Sequence, residues 1–259
     1  MTSDIEARER IRGFAWTDDG GILYPRGSQL VVRGADGRER TVLVSDVNSP
    51  PANPAVCHGS GQIVFNWLFK NGSTAQNLWR INPDGSEPYQ LTDFPHTQGA
   101  QCSPDGQWVV FYASTGVHRV RTSGGVVEML HPRIGTSGLF WSPDSRTIAF
   151  IASPAPGERI RQLTVITPGA ATRRFQLAPE MTGAFRFTPD GSAIVYGERK
   201  DGTTVMHIQP LDGSPSRVSE SADLDLDGQV SPDGSKVAVM RQRVDSDVVL
   251  LRDGAARGR

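Results

Sequence analysis

One tetrapeptide recurs along this chain at near-constant spacing: Ser103-Pro104-Asp105-Gly106, Ser142-Pro143-Asp144-Ser145, Thr188-Pro189-Asp190-Gly191 and Ser231-Pro232-Asp233-Gly234. Each copy follows a short strand-like run and precedes another, such as Trp108-Val109-Val110-Phe111-Tyr112 or Ile148-Ala149-Phe150-Ile151-Ala152. The set fits a type I turn. Pro presets φ near −65°, the small polar residue accepts a local hydrogen bond, and Gly closes the turn without strain. A repeat of this kind predicts an array of one supersecondary unit.

Two worn copies extend the series backwards, Thr17-Asp18-Asp19-Gly20 and Cys57-His58-Gly59-Ser60-Gly61. With Thr17, Cys57, Ser103, Ser142, Thr188 and Ser231 as anchors, the spacings are 40, 46, 39, 46 and 43. That is the range of four-stranded propeller blades, about 40–45 residues. A second mark follows each anchor, as Ala35-Asp36-Gly37, Pro83-Asp84-Gly85, Ser123-Gly124-Gly125, Pro168-Gly169 and Leu211-Asp212-Gly213, and Asp-Gly or Gly-Gly between apolar runs signals a hairpin. Each unit therefore reads strand a, tight turn, strand b, variable hairpin, strand c, tight turn, strand d. The prediction is an all-β chain: a six-bladed β-propeller of four-stranded antiparallel blades, filling residues 1–259 as a single domain. The sixth unit reaches strand c near Val248–Leu251 and then runs out at Asp253-Gly254. Its missing strand is expected from the N-terminal segment Ile5–Ile11, which would cover an open edge and tie the ring.

Composition excludes several classes. Lys and Arg number 27 against 28 Asp and Glu, so no basic field points to nucleic acid. No run approaches 18 apolar residues, so membrane insertion is not expected, and Met1–Arg8 lacks the apolar centre of a signal peptide. A monomer is expected. Cys57 and Cys102 fall just before or at their anchors, in a slot that is apolar in every unit. They are expected to be free, buried thiols, because neighbouring blades should hold such positions farther apart than the roughly 7 Å a bridge spans.

Function is expected on the rim formed by the d–a and b–c connections. The a–b and c–d turns at the other end are uniform, whereas this rim varies in length and chemistry, as binding loops on a rigid scaffold do. The candidate residues are Asn48, Phe94, His96, Arg133, Met181, Asp223 and Asp225 on d–a connections, with Trp67 and Phe69 on the b–c side. Aromatic anchors ringed by polar groups suit a protein or peptide partner. For Trp67 and Phe69 the competing reading is packing between blades.

Metal and catalytic signals are thinner. Asp223, Asp225 and Asp227 followed by Gly228 match the first half of a Ca²⁺ loop, but Gly234 stands where the closing Glu is needed. Ca²⁺ is the one cofactor candidate, with a solvated acidic loop as the alternative. His96 and His131 lie near d–a connections of adjacent units, without a third His in register. Neither a Gly-x-Ser-x-Gly elbow nor a phosphate loop is present. The Asp residues of the tetrapeptides are expected to be structural.

Ser/Thr-Pro-Asp-Gly before an apolar strand, then X-Asp-Gly before a short fourth strand, resembles the TolB-type propeller repeat over essentially the whole chain. The stretches Ser103–Phe111 and Ser246–Leu251 look like C-terminal propellers that follow a Ser/Thr kinase or winged-helix domain in bacterial signalling proteins. The resemblance implies a non-catalytic binding or sensor domain for a protein, peptide or cell-wall ligand, extracytoplasmic if it belongs to a membrane-anchored parent. Relatives of the repeat also include metal-assisted lyases and propellers that gate peptidases. A glycan lyase or hydrolase working in the central channel is therefore the alternative.

Overall fold

In the computed structural model, the described residues are 13–70, 76–94, 96–132, 136–152, 162–178, 180–218, 229–231 and 236–238. They form five four-stranded antiparallel sheets and one two-stranded sheet, each with its strands in chain order. The first sheet holds Ala15–Trp16, Ile22–Arg26, Gln29–Arg33 and Glu39–Val44. The second holds Pro51–Cys57, Gln62–Leu68, Gln76–Ile81 and Tyr89–Gln90, and the third Gln98–Cys102, Trp108–Ala113, Gly116–Arg121 and Glu128–His131. The fourth holds Thr136–Trp141, Ile148–Ala152, Gln162–Ile166 and Arg173–Gln176. The fifth holds Met181–Phe187, Ala193–Lys200, Thr203–Pro210 and Arg217–Val218, and the last pair is Gln229–Val230 with Val237–Ala238. The expected closing segment Ile5–Ile11 and the strand at Val248–Leu251 lie outside the described residues.

The tetrapeptides make the turns they predict. Ser103 Oγ donates to Asp105 Oδ1 at 2.5 Å and accepts from Trp108 N at 3.0 Å, while Gly106 N closes on Ser103 O at 2.8 Å. Ser142–Asp144 and Thr188–Asp190 repeat the hydroxyl–carboxylate bond at 2.5 Å, and so does the worn copy at Thr17–Asp19. These bonds to the ionised carboxylate hold Asp19, Asp144 and Asp190 below the usual carboxylate range, Asp190 at about 2. The Asp side chains thus serve the fold, bonding back to their own turn.

The five four-stranded sheets pack face to face in chain order, with one apolar cluster in each of their four junctions. Leu23, Leu30 and Val32 meet Ile63, Phe65 and Trp67 between the first and second sheets. Cys57, Val64 and Leu78 meet Val109, Phe111 and Val120 in the next junction. Val110 and Val117 meet Trp141, Ile148 and Phe150, and Ala149, Leu163 and Val165 meet Phe185, Ile194 and Tyr196. Interior sheets are therefore buried on both faces, which is why Ile148–Ala152 is apolar throughout rather than alternating. Each second strand carries an aromatic ring at most 2% exposed, namely Tyr24, Phe65, Phe111, Phe150 and Tyr196, two residues after Ile22, Ile63, Val109, Ile148 and Ile194. Such rings bring large apolar area to each junction.

The first strands of successive sheets lie beside one another. In the second to fifth sheets each is interrupted by a register shift against its neighbour. Gly13, Asn53, Gly99 and Gly138, each four residues ahead of its anchor, have φ of 85°, 49°, 65° and 66°. All four lie in the left-handed region, where glycine is favoured, and Asn53, Gly99 and Gly138 sit at the register shifts, as bulge residues do. At Gly138 a side chain would also meet the ring of Phe185, 2.6 Å from a built Cβ. Trp16 Nε1 donates to Gln229 O at 2.8 Å and Gln229 Nε2 donates to Phe14 O at 2.9 Å, linking the first and last sheets.

The cysteines depart from expectation. Cys57 and Cys102 form a disulfide across the second and third sheets, with Cα atoms 5.0 Å apart. Aligning the second strands on Ile22, Ile63, Val109, Ile148 and Ile194 places Cys57 at the Ser/Thr position of its unit, and Cys102 one residue before its own anchor. The two are thus offset rather than equivalent, and adjacent first strands approach closely enough for the bridge.

Candidate functional site

Antiparallel connectivity sends the a–b and c–d turns to one end of the sheets and the b–c and d–a connections to the other. The turn end is tied from sheet to sheet. Asp18 pairs with Nδ1 of His58 between the first two units, and Asp105 N donates to Ser145 Oγ at 2.9 Å between the third and fourth. Arg40 Nη1 reaches Pro83 O at 3.0 Å, and Arg173 Nη1 reaches Leu211 O at 2.5 Å. Side chains at this end are engaged in holding neighbouring units together.

The opposite rim has a different character. Connections there are anchored at their base, since Ser49 Oγ donates to Leu68 O at 2.9 Å and Asn66 Nδ2 donates to Thr97 O at 2.8 Å. Their tips stand free of the core. Phe69 is 46% exposed at φ 54°, and His96 is exposed at φ 61°. A bulky residue held left-handed costs about 1–2 kcal/mol and persists only where its surroundings enforce it. Beside Phe69, Lys70 Nζ lies 3.6 Å from the centroid of the Trp67 ring. Val44 and Val47 are also strongly exposed, and Asn48 is exposed on the loop that Ser49 pins to Leu68.

The expected site residues therefore separate by role. Asn48, Phe69 and His96 present themselves to solvent. Trp67 is 4% exposed, T-shaped against Trp79 at 5.2 Å, and donates through Nε1 to Ser49 O at 2.9 Å, so it supports the rim from beneath. Met181 is a core residue between the fourth and fifth sheets. Phe94 is half-buried, its ring 5.2 Å from His118 and 6.5 Å from Phe111. It also lines an open groove of about 380 Å³ with Tyr89, Leu91, Gly125 and Val127. Arg133, Asp223, Asp225 and Asp227 lie outside the described residues, so the acidic run offered for Ca²⁺ has no structural account here.

The histidines do not gather. His131 is buried with its ring 5.3 Å from Phe150, whereas His96 faces solvent. His207 Nε2 meets Glu198 Oε2 at 2.8 Å and stacks on Tyr196 at 5.1 Å. His118 stacks on Phe111 at the matching place in its sheet, and burial pushes its pKa below the usual imidazole value. Among the described residues, no three His, Cys, Asp or Glu side chains come together in a way that would hold a metal ion.

The bulge positions were missed in reading the sequence. Their signal is a glycine four residues before the first, third and fourth anchors, blurred by Asn53 in the second unit, by Gly183, five residues ahead, in the fifth and by Gly228, three residues ahead, in the sixth. The Cys57 offset was equally visible once the second strands, rather than the turns, were aligned.

No family profile matches the chain, and no curated protein matches it. Solved structures do. TolB from Acinetobacter baumannii superposes with a TM-score of 0.61 at 19% identity, over 84% of this chain and 56% of that one. The fold is that of the β-propellers. An oligogalacturonate lyase from Vibrio parahaemolyticus aligns with a TM-score of 0.66 at 15% identity, covering 87% of this propeller and 72% of the lyase. A chain of a nidogen/laminin complex aligns at 0.56 and 14% identity, over 80% and 78%. At such identities the likeness carries the architecture alone, and this chain spans little more than half of the TolB chain.

Proposed function

We propose that residues 1–259 form one six-bladed ring, closed by Ile5–Ile11, which binds a protein, peptide or cell-wall ligand without catalysis. On this reading the d–a/b–c rim is the binding face, and the domain serves a larger bacterial signalling or envelope protein. Closure is supported by the bonds that join Trp16 and Phe14 to Gln229. The binding reading is carried by one observation: the turn end is consumed by contacts between units, while Phe69 and His96 are held exposed and left-handed at the other end. Strained, exposed aromatic side chains on a rigid scaffold are what a recognition surface requires. Asn48 and Phe94 extend that surface, with Trp67 as its support, and the TolB-type resemblance agrees with it. Arg133, Asp223 and Asp225 remain part of the same proposal, whereas Met181 packs in the core and leaves it.

The test compares wild type with the double variant Phe69→Ala/His96→Ala, each immobilised and exposed to envelope extract and to isolated peptidoglycan. Retention should fall about tenfold or more with an unchanged melting temperature, as loss of interface anchors does. Equal retention at equal stability removes the rim as the binding face.

A lyase or hydrolase acting on a glycan is the second reading, favoured by the likeness to oligogalacturonate lyase. The described side chains do not assemble a metal-ligand set, so no reaction step is derived from them. Stoichiometric Mn²⁺ or Zn²⁺ on purified protein, lost in His96→Ala, would promote this reading; metal-free protein after incubation with either ion would end it.

A further inference from the structure

Among the described junctions, the one between the second and third sheets is closed covalently. At the third-to-fourth junction Trp141 Nε1 donates to Gln101 O at 3.1 Å, and Trp16 makes the equivalent bond to Gln229 O. Cys102 occupies the position of those two tryptophans and spends it on Cys57. Cys57 in turn occupies the position whose hydroxyl caps the turn in the other units. Both sulfurs thus replace groups that make polar bonds elsewhere, and neither thiol would restore those bonds if the bridge opened. Cys57 is fully buried, while Cys102 is only partly buried, so a small thiol would approach the bridge from the Cys102 side. The apolar cluster that holds Cys57 runs through Val64 and Phe111 to Phe94 at the far rim.

We infer that the Cys57–Cys102 bond is a redox-sensitive clasp. Oxidised, it fixes the second sheet against the third; reduced, it lets this junction open locally and frees the rim segment leading into residues 96–102. Closing the clasp removes two electrons and two protons from the thiol pair, passed to a small-molecule disulfide that leaves as two thiols. Opening is the reverse, with a dithiol as reductant. Its effect on ligand capture rests on the rim reading above, but the clasp itself does not.

Hydrogen exchange read by mass spectrometry tests it on the whole chain, with and without a phosphine reductant. Amides of residues 97–102 and 57–66 should exchange about tenfold faster after reduction, while residues 138–141 stay unchanged, as in a local rather than global opening. A Cys57→Ala/Cys102→Ala variant should show the reduced pattern with or without reductant. Unchanged exchange in reduced wild type overturns the clasp, as does uniform acceleration along the chain. Titration of two free thiols in air-oxidised protein overturns it as well. Should the variant fail to fold, the wild-type comparison alone decides.

Discussion

The indole N–H of Trp141 donates to the main-chain carbonyl of Gln101, reaching from the first strand of one sheet into the first strand of the sheet before it. Trp16 and Gln229 stand in the same relation. The bond fixes how far the two strands can slide, a task that apolar packing does not perform because it has no direction. Trp141→Phe keeps much of the ring area and removes the donor. It should cost about 0.5–1.5 kcal/mol, the net worth of a typical hydrogen bond whose acceptor water can still reach, read as a lower urea midpoint at unchanged slope. Wild-type stability in Trp141→Phe would mean that packing alone sets the register.

The turn carboxylates give a signed pH dependence. The Thr188 hydroxyl, followed by the Ser192 amide and hydroxyl, holds Asp190 at about 2, below its ordinary value of 3.8. A carboxylate with a depressed folded-state pKa stabilises fully above its unfolded value and loses that contribution as pH falls through the folded one. Denaturation midpoints of wild type and Asp190→Ala should therefore differ at pH 6 and converge between about pH 4 and pH 2. A constant gap down to pH 2 would show that the side chain acts as a neutral hydrogen-bonding group.

His118 has the opposite chemistry and the same direction. Burial favours its neutral form, and the unfolded chain takes up the proton more readily. Its share of stability is thus complete above the ordinary imidazole pKa of 6.5 and is lost as pH falls towards the lower folded value. His118→Phe should lose less stability than wild type on moving from pH 7.5 to pH 5, seen as a smaller shift in melting temperature. Parallel curves for the two proteins would assign the acid sensitivity to another group.

Left-handed His96 and Phe69 set stability against binding. Replacement by Gly relieves roughly 1–2 kcal/mol of backbone strain, offset by about 0.5–1 kcal/mol of added unfolded-state freedom. His96→Gly and Phe69→Gly should melt at or above the wild-type temperature while retaining less ligand. A drop in melting temperature would mean that the rim side chains carry packing that their exposure does not reveal.

The repeat was legible because its chemistry is local: the bonds that shape the turn at Ser103, Asp105 and Gly106 run within five residues, so the string alone predicts it. Five four-stranded sheets follow from that punctuation. The Cys57–Cys102 bridge was not legible, since it depends on the distance between two sheets 45 residues apart in sequence. Trp67 shows a second limit. In a sheet buried on both faces, alternation disappears, and an aromatic at the end of a strand reads alike whether it caps the core or faces a ligand. At Phe69 and His96 the side chains were visible in the string, but their left-handed backbone was not, because neither is a Gly or Asn that would announce it.

The lacing of the turn end has an evolutionary corollary. A residue added near Asp18–His58 or Asp105–Ser145 must shift two units at once, so length changes there propagate into the neighbouring core. The Asp201-Gly202 hairpin tip, exposed and at φ 49° and 79°, bends back on its own strands and transmits nothing. New sequence can therefore accumulate on one rim while the other stays frozen, and a foreign peptide grafted between Lys200 and Thr203 should leave the architecture standing.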